Sequence, residues 1–340
     1  MAQLTMQKTM FKMNLFIQRL LRLVLVFLAT LCVGVVSAET QNWPTRAVKI
    51  VVPYPAGGGV DILARALAQK LQEAWDQPVT VDNRPGANTL VGTEVVARAK
   101  DQHTLLFTTD ATFTINPHLY TKLPYELARD FKPITQVVSF SQMLVVNVDF
   151  PANSLDELIA LARNKPGSLS YASYGPGSQP QLATEMLKQK AGIFILHIPY
   201  RGIPQAVAAV VSNEIPMTWS GVVSARPHIA SKRIKPIAFG GKTRLAAYPQ
   251  VPTTSELGYP EIDSNVWVGL FGPSNMQSQT IHKIHQDILK ITNDPAFRRR
   301  EIESKSYDLV GNGPDEFMRY ISHESESRKA TLKTAGVKID

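Results

Sequence analysis

Two glycine-rich segments hold the residues best suited to binding chemistry. The first is Pro53-Tyr54-Pro55-Ala56-Gly57-Gly58-Gly59-Val60-Asp61, set between a strand pattern and a helix pattern. Glycine there lets a ligand approach the backbone, and the free amides of the following helix N-terminus direct positive charge at whatever occupies the loop. A carboxylate or phosphate suits such a loop. No Gly-Lys-Ser/Thr follows and GxGxxG spacing is missing, so neither a P-loop nor a dinucleotide fingerprint is present. A tight turn that needs glycine for geometry alone is the alternative. The second segment, Ser173-Tyr174-Gly175-Pro176-Gly177-Ser178, again joins a strand to a helix. Ser178 either caps that helix or contributes its hydroxyl, with neighbouring amides, to an anion site. Two such loops, one in each half of the chain, suggest a ligand held across a cleft.

Other constellations carry less. His282 and His285 stand i, i+3 on a helix pattern without an acidic or third histidine partner nearby, which reads as a solvated helix face. His197 lies at a strand end, and a catalytic role would need an oriented carboxylate. There is no GxSxG elbow. Arg298-Arg299-Arg300 is followed by Glu301 and Glu303, a charged helix surface rather than a nucleic-acid patch. Trp43, Trp75 and Trp267 read as packing residues; Trp219, beside Ser220 at a strand end, is the tryptophan expected in the cleft. No catalytic residue, metal ligand or cofactor is assigned.

The elements that must position the loops alternate regularly. Residues 47–52 form a strand pattern, and residues 60–75 a helix with Leu63, Leu67 and Leu71 on one face. Strands follow at 79–81 and 104–108, separated by a helix at 89–99, and then at 134–138 and 143–147. Ser154 and Glu157 have capping-box spacing at the next helix start. Strands at 170–173, 194–198, 215–219 and 234–239 alternate with helices at 179–190, 204–211 and 224–231. A last strand at 266–271 precedes three helices, the final one opening with Gly313-Pro314. This is an α/β fold with parallel or mixed sheets. Its length favours two domains, with crossings near residues 138–143 and 252–260: a discontinuous first domain of residues 39–139 plus 256–340, and a second of residues 140–255. Two crossings make a hinge.

Composition narrows the class. With 340 residues, 44% apolar and 19% charged, and one cysteine, disorder, collagen and a disulfide scaffold are set aside. The net charge of +8 is concentrated at the start, where Lys8, Lys12, Arg19 and Arg22 precede an apolar run at 23–36 and then Ser37-Ala38. This pattern predicts a signal peptide cleaved after Ala38, the run being shorter than the roughly 18 to 20 residues of a membrane span. Cleavage leaves 32 basic against 28 acidic residues. It also removes Cys32, so thiolate ligands, disulfides and a cysteine nucleophile are excluded from an exported chain.

The motifs VPYPAGGGVDILAR (52–65), VDNRPGA (81–87), NPHLYTKLPYELARDFKPIT (116–135), GSLSYASYGPGS (167–178), HIPYRG (197–202), VPTTSELGYP (251–260) and VWVGLFGP (266–273) occur in an order that spans nearly all of the mature chain. With them the chain resembles the Bug or TctC-like extracytoplasmic solute receptors, the substrate-binding proteins of tripartite tricarboxylate transporters. The resemblance implies a two-domain periplasmic binding protein fold, type II-like, that closes at a hinge on a small carboxylate. It implies ligand contacts from Ala56, Gly57 and Gly58 in the first domain and from Ser173, Gly177 and Ser178 in the second. Thr109, Asp110 and Asn116 follow a strand end, where α/β sheets place ligands, and are expected to line the same cleft.

Departures from the family pattern bear on the ligand. Val60 stands where threonine is common, Gln181 where histidine is common, and Trp219-Ser220 where many members have phenylalanine then aspartate. Ser220 in place of a cleft carboxylate favours a second anionic group or a ligand without an amine. Di- and tricarboxylates, acidic amino acids and aromatic acids all fit at this level. The expected partners are that ligand and membrane transporter subunits, with no nucleic acid, the receptor itself being monomeric. A ligand carrier for a membrane sensor kinase is the alternative, and a hydrolase or isomerase using the same cleft a weaker one.

Overall fold

A computed structural model describes residues 43–337 together with Met10, Met13 and Arg22. Apart from those three residues, the signal peptide expected over residues 1–38, with its cleavage site and Cys32, lies outside the described residues. Among the described residues no helix is long and apolar enough to cross a membrane.

The chain begins with a parallel β-α-β-α-β run: β1 (Val48–Val52), α1 (Gly59–Trp75), β2 (Val79–Asn83), α2 (Leu90–Ala97) and β3 (Thr104–Thr109). Helix α1 forms because Leu63, Leu67 and Leu71 recur every fourth residue, and all three are buried. Removing each from water contributes roughly 1.5–3 kcal/mol. The helix ends at Asp76, whose left-handed backbone stops further winding. Strand β3 is buried along its whole length, as befits a strand covered on both faces.

A π-helical turn (Ala111–Ile115) and two short helices, α3 (Asn116–Leu119) and α4 (Leu127–Asp130), lead to β4 (Phe131–Ser141). The chain then passes through Gln142 into β5 (Met143–Asn147) of a second sheet. That sheet is completed by α5 (Leu155–Asn164), β6 (Ser170–Ser173), α6 (Gln179–Ala191), β7 (Leu196–Pro199), α7 (Ile203–Val211), β8 (Met217–Ser220), α8 (Val222–Ala230) and β9 (Ile234–Phe239). Residues 240–264 return the chain to the first sheet as β10 (Asn265–Pro273), followed by α9 (Ser278–Asn293), α10 (Pro295–Phe297), β11 (Asp308–Leu309) and α11 (Pro314–Ala335). The first sheet runs β11-β4-β10-β3-β1-β2 and the second β7-β6-β8-β5-β9. Both are mixed: β10 is antiparallel to β3 and β4, and β5 is antiparallel to β8 and β9.

The expected Ser154 cap is present, its hydroxyl accepting from the Glu157 amide at 3.2 Å. Glu157 itself reaches past Ser154 to the amide of Asn153 at 2.6 Å, one residue earlier than the reciprocal box predicts. The patterns at 134–138 and 143–147 prove to be a strand of the first sheet and a strand of the second, on either side of Gln142.

The two crossings are hydrogen-bonded to each other. The Gly240 amide donates to the Gln142 carbonyl at 2.9 Å, the Ser264 amide to the Gly240 carbonyl at 3.0 Å, and the Gln142 amide to Ser264 Oγ at 3.1 Å. A third tie is apolar: Ala111, Ile115 and Leu119 after β3, Leu182 on α6, and Leu332 on α11 share one buried cluster. Helices belonging to both sheets therefore pack together.

Candidate functional site

The loop after β1 is braced from within. Asp61, buried in the first turn of α1, accepts from the Gly57 amide at 2.9 Å and from Asn83 Nδ2 at 2.9 Å, and pairs with Arg65 at 3.0 Å. Burial alone would push this carboxyl up, but Arg65, the Gly57 amide and Asn83 together hold it below the usual carboxylate range. Asn83 also donates to the Tyr54 carbonyl at 3.0 Å. The second loop repeats the device: the Gly177 amide donates to Gln181 Oε1, four residues on, at 2.6 Å. Two of the three glycine amides expected to meet a ligand, those of Gly57 and Gly177, are thereby engaged inside their own loops.

Between the two halves lies an inner cavity of about 70 Å³. Three helix N-termini open onto it: Gly58 to Val60 of α1 from the first half, and Ile203-Pro204 of α7 with Gly221, Val223 and Ser224 of α8 from the second. The N-caps of these helices are Gly58, Gly202 and Gly221, and none carries a side-chain cap. Their first-turn amides are thus not taken by capping side chains, which concentrates partial positive charge at one point. The rest of the wall includes Tyr54, Thr109, Phe140, Gln142, Tyr174 and Tyr307. Tyr54 and Thr109 share a hydrogen bond of 2.7 Å. Burial pushes the Tyr54 phenol up to about 12, and burial raises Tyr174 and Tyr307 as well, so all three stay neutral hydroxyls at physiological pH. Gln142 is buried with Oε1 lacking a hydrogen-bond partner among the described residues. Tyr54 and Tyr174, one from each half, also line an outer cavity of about 510 Å³.

Of the expected site residues, Gly58 and Thr109 line the inner cavity. Ala56 and Gly57 face solvent on the outside of their loop. Ser173 is buried, with Oγ 2.6 Å from His197 Nε2 and accepting from the Gly175 amide at 3.0 Å. Ser178 donates to the Gly175 carbonyl at 2.6 Å instead of capping α6. Asn116 binds the Asn88 carbonyl at 2.8 Å and accepts from Asn88 Nδ2 at 2.7 Å, holding a loop that lines the outer cavity. Ser220 donates to the Gly221 carbonyl at 3.1 Å. Trp219, expected in the cleft, packs instead with Leu144, Tyr171 and Leu187 in the core of the second half. Side chains alternate along a strand, and on β8 the Met217 and Trp219 face is the one covered by helices α5 and α6.

Asp110 is not part of the inner-cavity lining and belongs to a buried ionic cluster. Its Oδ2 accepts from Gln179 Nε2 at 2.9 Å and lies 3.7 Å from Arg328, which pairs with Glu324 at 3.0 Å; Glu324 also accepts from the Trp267 indole. Gln179 donates in addition to the Asn265 carbonyl at 3.0 Å, so this cluster links α6 of the second half to β3 and β10 of the first. His282 and His285 contact the carbonyls of Ser278 and Gly311, and no metal-holding group occurs among the described residues.

Gly177 has φ +75°, and a Cβ there would sit 2.1 Å from Leu119 Cδ1 across the two halves. Gly175, at φ +120°, has nothing within 4 Å. Gly177→Ala is expected to lower unfolding free energy by about 2–4 kcal/mol through backbone strain plus overpacking. Gly175→Ala should show the strain alone. Denaturant midpoints that are equal for the two variants would remove the inter-half contact from the account.

The comparisons with known proteins decide the family. Residues 63–337 match the model of the tripartite tricarboxylate transporter family receptor, TctC. The chain belongs to that family. It is 31% identical over 324 residues to the protein BugT of Bordetella pertussis, covering 94% of this chain and 98% of that one. Among solved structures, the periplasmic binding protein BugD superposes with a TM-score of 0.82 at 27% identity, over 87% of this chain and 99% of the other. The R. palustris protein Rpa4515, solved with adipate, gives 0.84 at 26% identity over 87% and 99%. This TctC chain therefore has the two-domain periplasmic binding protein fold, and its family is one of solute-binding receptors rather than enzymes.

The cavity residues that sequence reasoning missed had a signal in part. HIPYRG followed by Ile203-Pro204, and Ser220-Gly221 followed by Val222, are strand-to-helix turns like the two glycine-rich loops. Tyr307 had none, because it enters from a turn far along the chain whose position depends on β11.

Proposed function

We propose that this TctC protein is a periplasmic receptor that captures a small carboxylate between two domains and hands it to membrane transporter subunits. The observation that carries the reading is the convergence of three glycine-capped helix N-termini, from both halves, on one cavity whose lining contains no charged side chain among the described residues. Aligned N-terminal amides stabilise an anion without the desolvation cost of a buried arginine or lysine. The ligand carboxylate sits against Gly58 to Val60 on one side and the first turn of α8 on the other, with Gln142 and the tyrosine hydroxyls supplying neutral hydrogen bonds.

In this reading, residues 39–139 with 256–340 form one domain and residues 140–255 the other, and they rotate about the paired crossings at Gln142 and Gly240. The enclosed arrangement is the ligand-bound one, and the ligand drives closure because only there do amides from both domains reach it. The adipate with which Rpa4515 was solved supports a small organic acid as the ligand class. Export by residues 1–38 places the receptor in the periplasm, and it acts as a monomer.

Isothermal titration against a panel of small acids and their uncharged primary amides tests the proposal. The acids are expected to bind, and each amide to bind at least 10-fold more weakly. Amides binding as tightly as their acids would overturn it.

A further inference from the structure

Resting on the receptor reading, the walls of the inner cavity allow its ligand class to be narrowed. Val60, Phe140, Ile203, Val223 and Val266 supply apolar surface on several sides. Every polar side chain there is neutral: Tyr54, Thr109, Gln142, Tyr174, Ser224 and Tyr307. Among the described residues the lining contains neither a carboxylate nor a cation. The three helix N-termini make one positive focus, and they are all drawn to the same small space.

These features act differently on different acids. An ammonium group would meet helix N-termini of its own sign and no carboxylate to offset its desolvation, so amino acids are disfavoured. A second carboxylate, held away from the amide focus, would be buried against valine and phenylalanine side chains without a charged partner. A hydroxyl-rich body would leave its donors and acceptors unmade along the same walls. An apolar body instead replaces water against Val60, Phe140 and Val223, gaining burial in proportion to its area. At about 70 Å³ the inner cavity also selects a compact body.

We propose that this receptor takes a compact monocarboxylate with an apolar aliphatic or aromatic body, in preference to dicarboxylates, tricarboxylates and amino acids. Val60 is the specificity-determining side chain whose replacement is most informative, because threonine has nearly its shape and adds only a hydroxyl.

The test is titration calorimetry on the full-chain protein purified after export, freed of bound ligand by unfolding and refolding. The probes are isovalerate, benzoate, malate, adipate, citrate and glutamate. Isovalerate or benzoate should bind at least 10-fold more tightly than the other four. Val60→Thr should weaken the better monocarboxylate at least fivefold, while circular dichroism and the unfolding midpoint remain those of the parent. Malate, adipate, citrate or glutamate binding as tightly as the monocarboxylates overturns the inference and leaves the carboxylate receptor standing. A parent that binds none of the six at millimolar concentration overturns both. Unchanged monocarboxylate affinity in Val60→Thr removes Val60 from the recognition surface and overturns the assignment of the apolar wall.

Discussion

Arg328→Met is expected to destabilise the protein by about 3–5 kcal/mol at neutral pH, because two buried carboxylates lose the cation they share. Arg328 is 7% exposed, Asp110 1% and Glu324 9%, so water cannot substitute for the guanidinium. The cluster holds one more negative than positive charge when fully ionised. Burial, opposed by Arg328 and reinforced by Glu324, pushes the Asp110 carboxyl up to about 7 from the 3.8 of an unperturbed aspartate. Asp110 Oδ1 has no hydrogen-bond partner among the described residues, which suits a carboxyl that retains a proton.

The direction of the pH effect follows from linkage. The native state binds this proton more tightly than the unfolded chain, so its stabilising contribution is fully present below about pH 4 and is lost as pH rises through about 7. Asp110→Asn keeps an acceptor for Gln179 and leaves Arg328 balanced by Glu324. The variant is therefore expected to lose less stability than the parent between pH 5 and pH 8, by an amount on the order of a few kcal/mol. Urea midpoints at the two pH values measure it; identical pH slopes would assign the titration to another group. In the Arg328→Met background, adding Asp110→Asn and Glu324→Gln should recover most of the loss.

Gly59→Ala is expected to weaken ligand binding about 10- to 100-fold with little change in the fold of either half. A Cβ at residue 59 would lie 2.6 Å from the Tyr307 hydroxyl and 3.6 Å from Val223 Cβ. It would therefore occupy the space where α1 of the first half faces α8 of the second. Tyr307 cannot easily withdraw, since its ring is buried and lies 5.4 Å from Phe140, centroid to centroid. Removing the hydroxyl should relieve the clash: Gly59→Ala with Tyr307→Phe is expected to bind more tightly than Gly59→Ala alone. Fluorescence titration of the single and double variants decides this, and a double variant no better than the single would show that the alanine acts through the backbone instead.

The glycine loops were legible in the sequence, and so was their place between strand and helix. What sequence could not show was which of their atoms remain available. Gly57 and Gly177 look alike as ligand amides, yet each is captured by a side chain four residues on, Asp61 and Gln181. The amides left for a ligand shift by one to three positions, to Gly58 through Val60. Asp110 followed the rule that residues after a strand end face the cleft, but the π-helical turn at Ala111–Ile115 redirects the chain, and the carboxyl turns towards Arg328, 218 positions later in the sequence. The segment ATFTI is rich in β-branched residues and carries no local sign of that turn; tertiary packing against α11 imposes it. Strand β11 has only two residues, too few for a periodic pattern.

The order β11-β4-β10-β3-β1-β2 has a consequence for how the chain acquires its shape. Strand β10 fills the slot between β4 and β3, yet it is made only after the whole of the second sheet. Until residue 273 has appeared, β3 and β4 have no strand between them, and an emerging N-terminal segment has no complete sheet to settle into. Contacts between segments so distant in the chain form slowly. For a protein that we propose is threaded through a membrane before it works, this delay is useful: the first sheet cannot close until its central strand, residues 265–273, is available, so its completion waits until most of the chain is present.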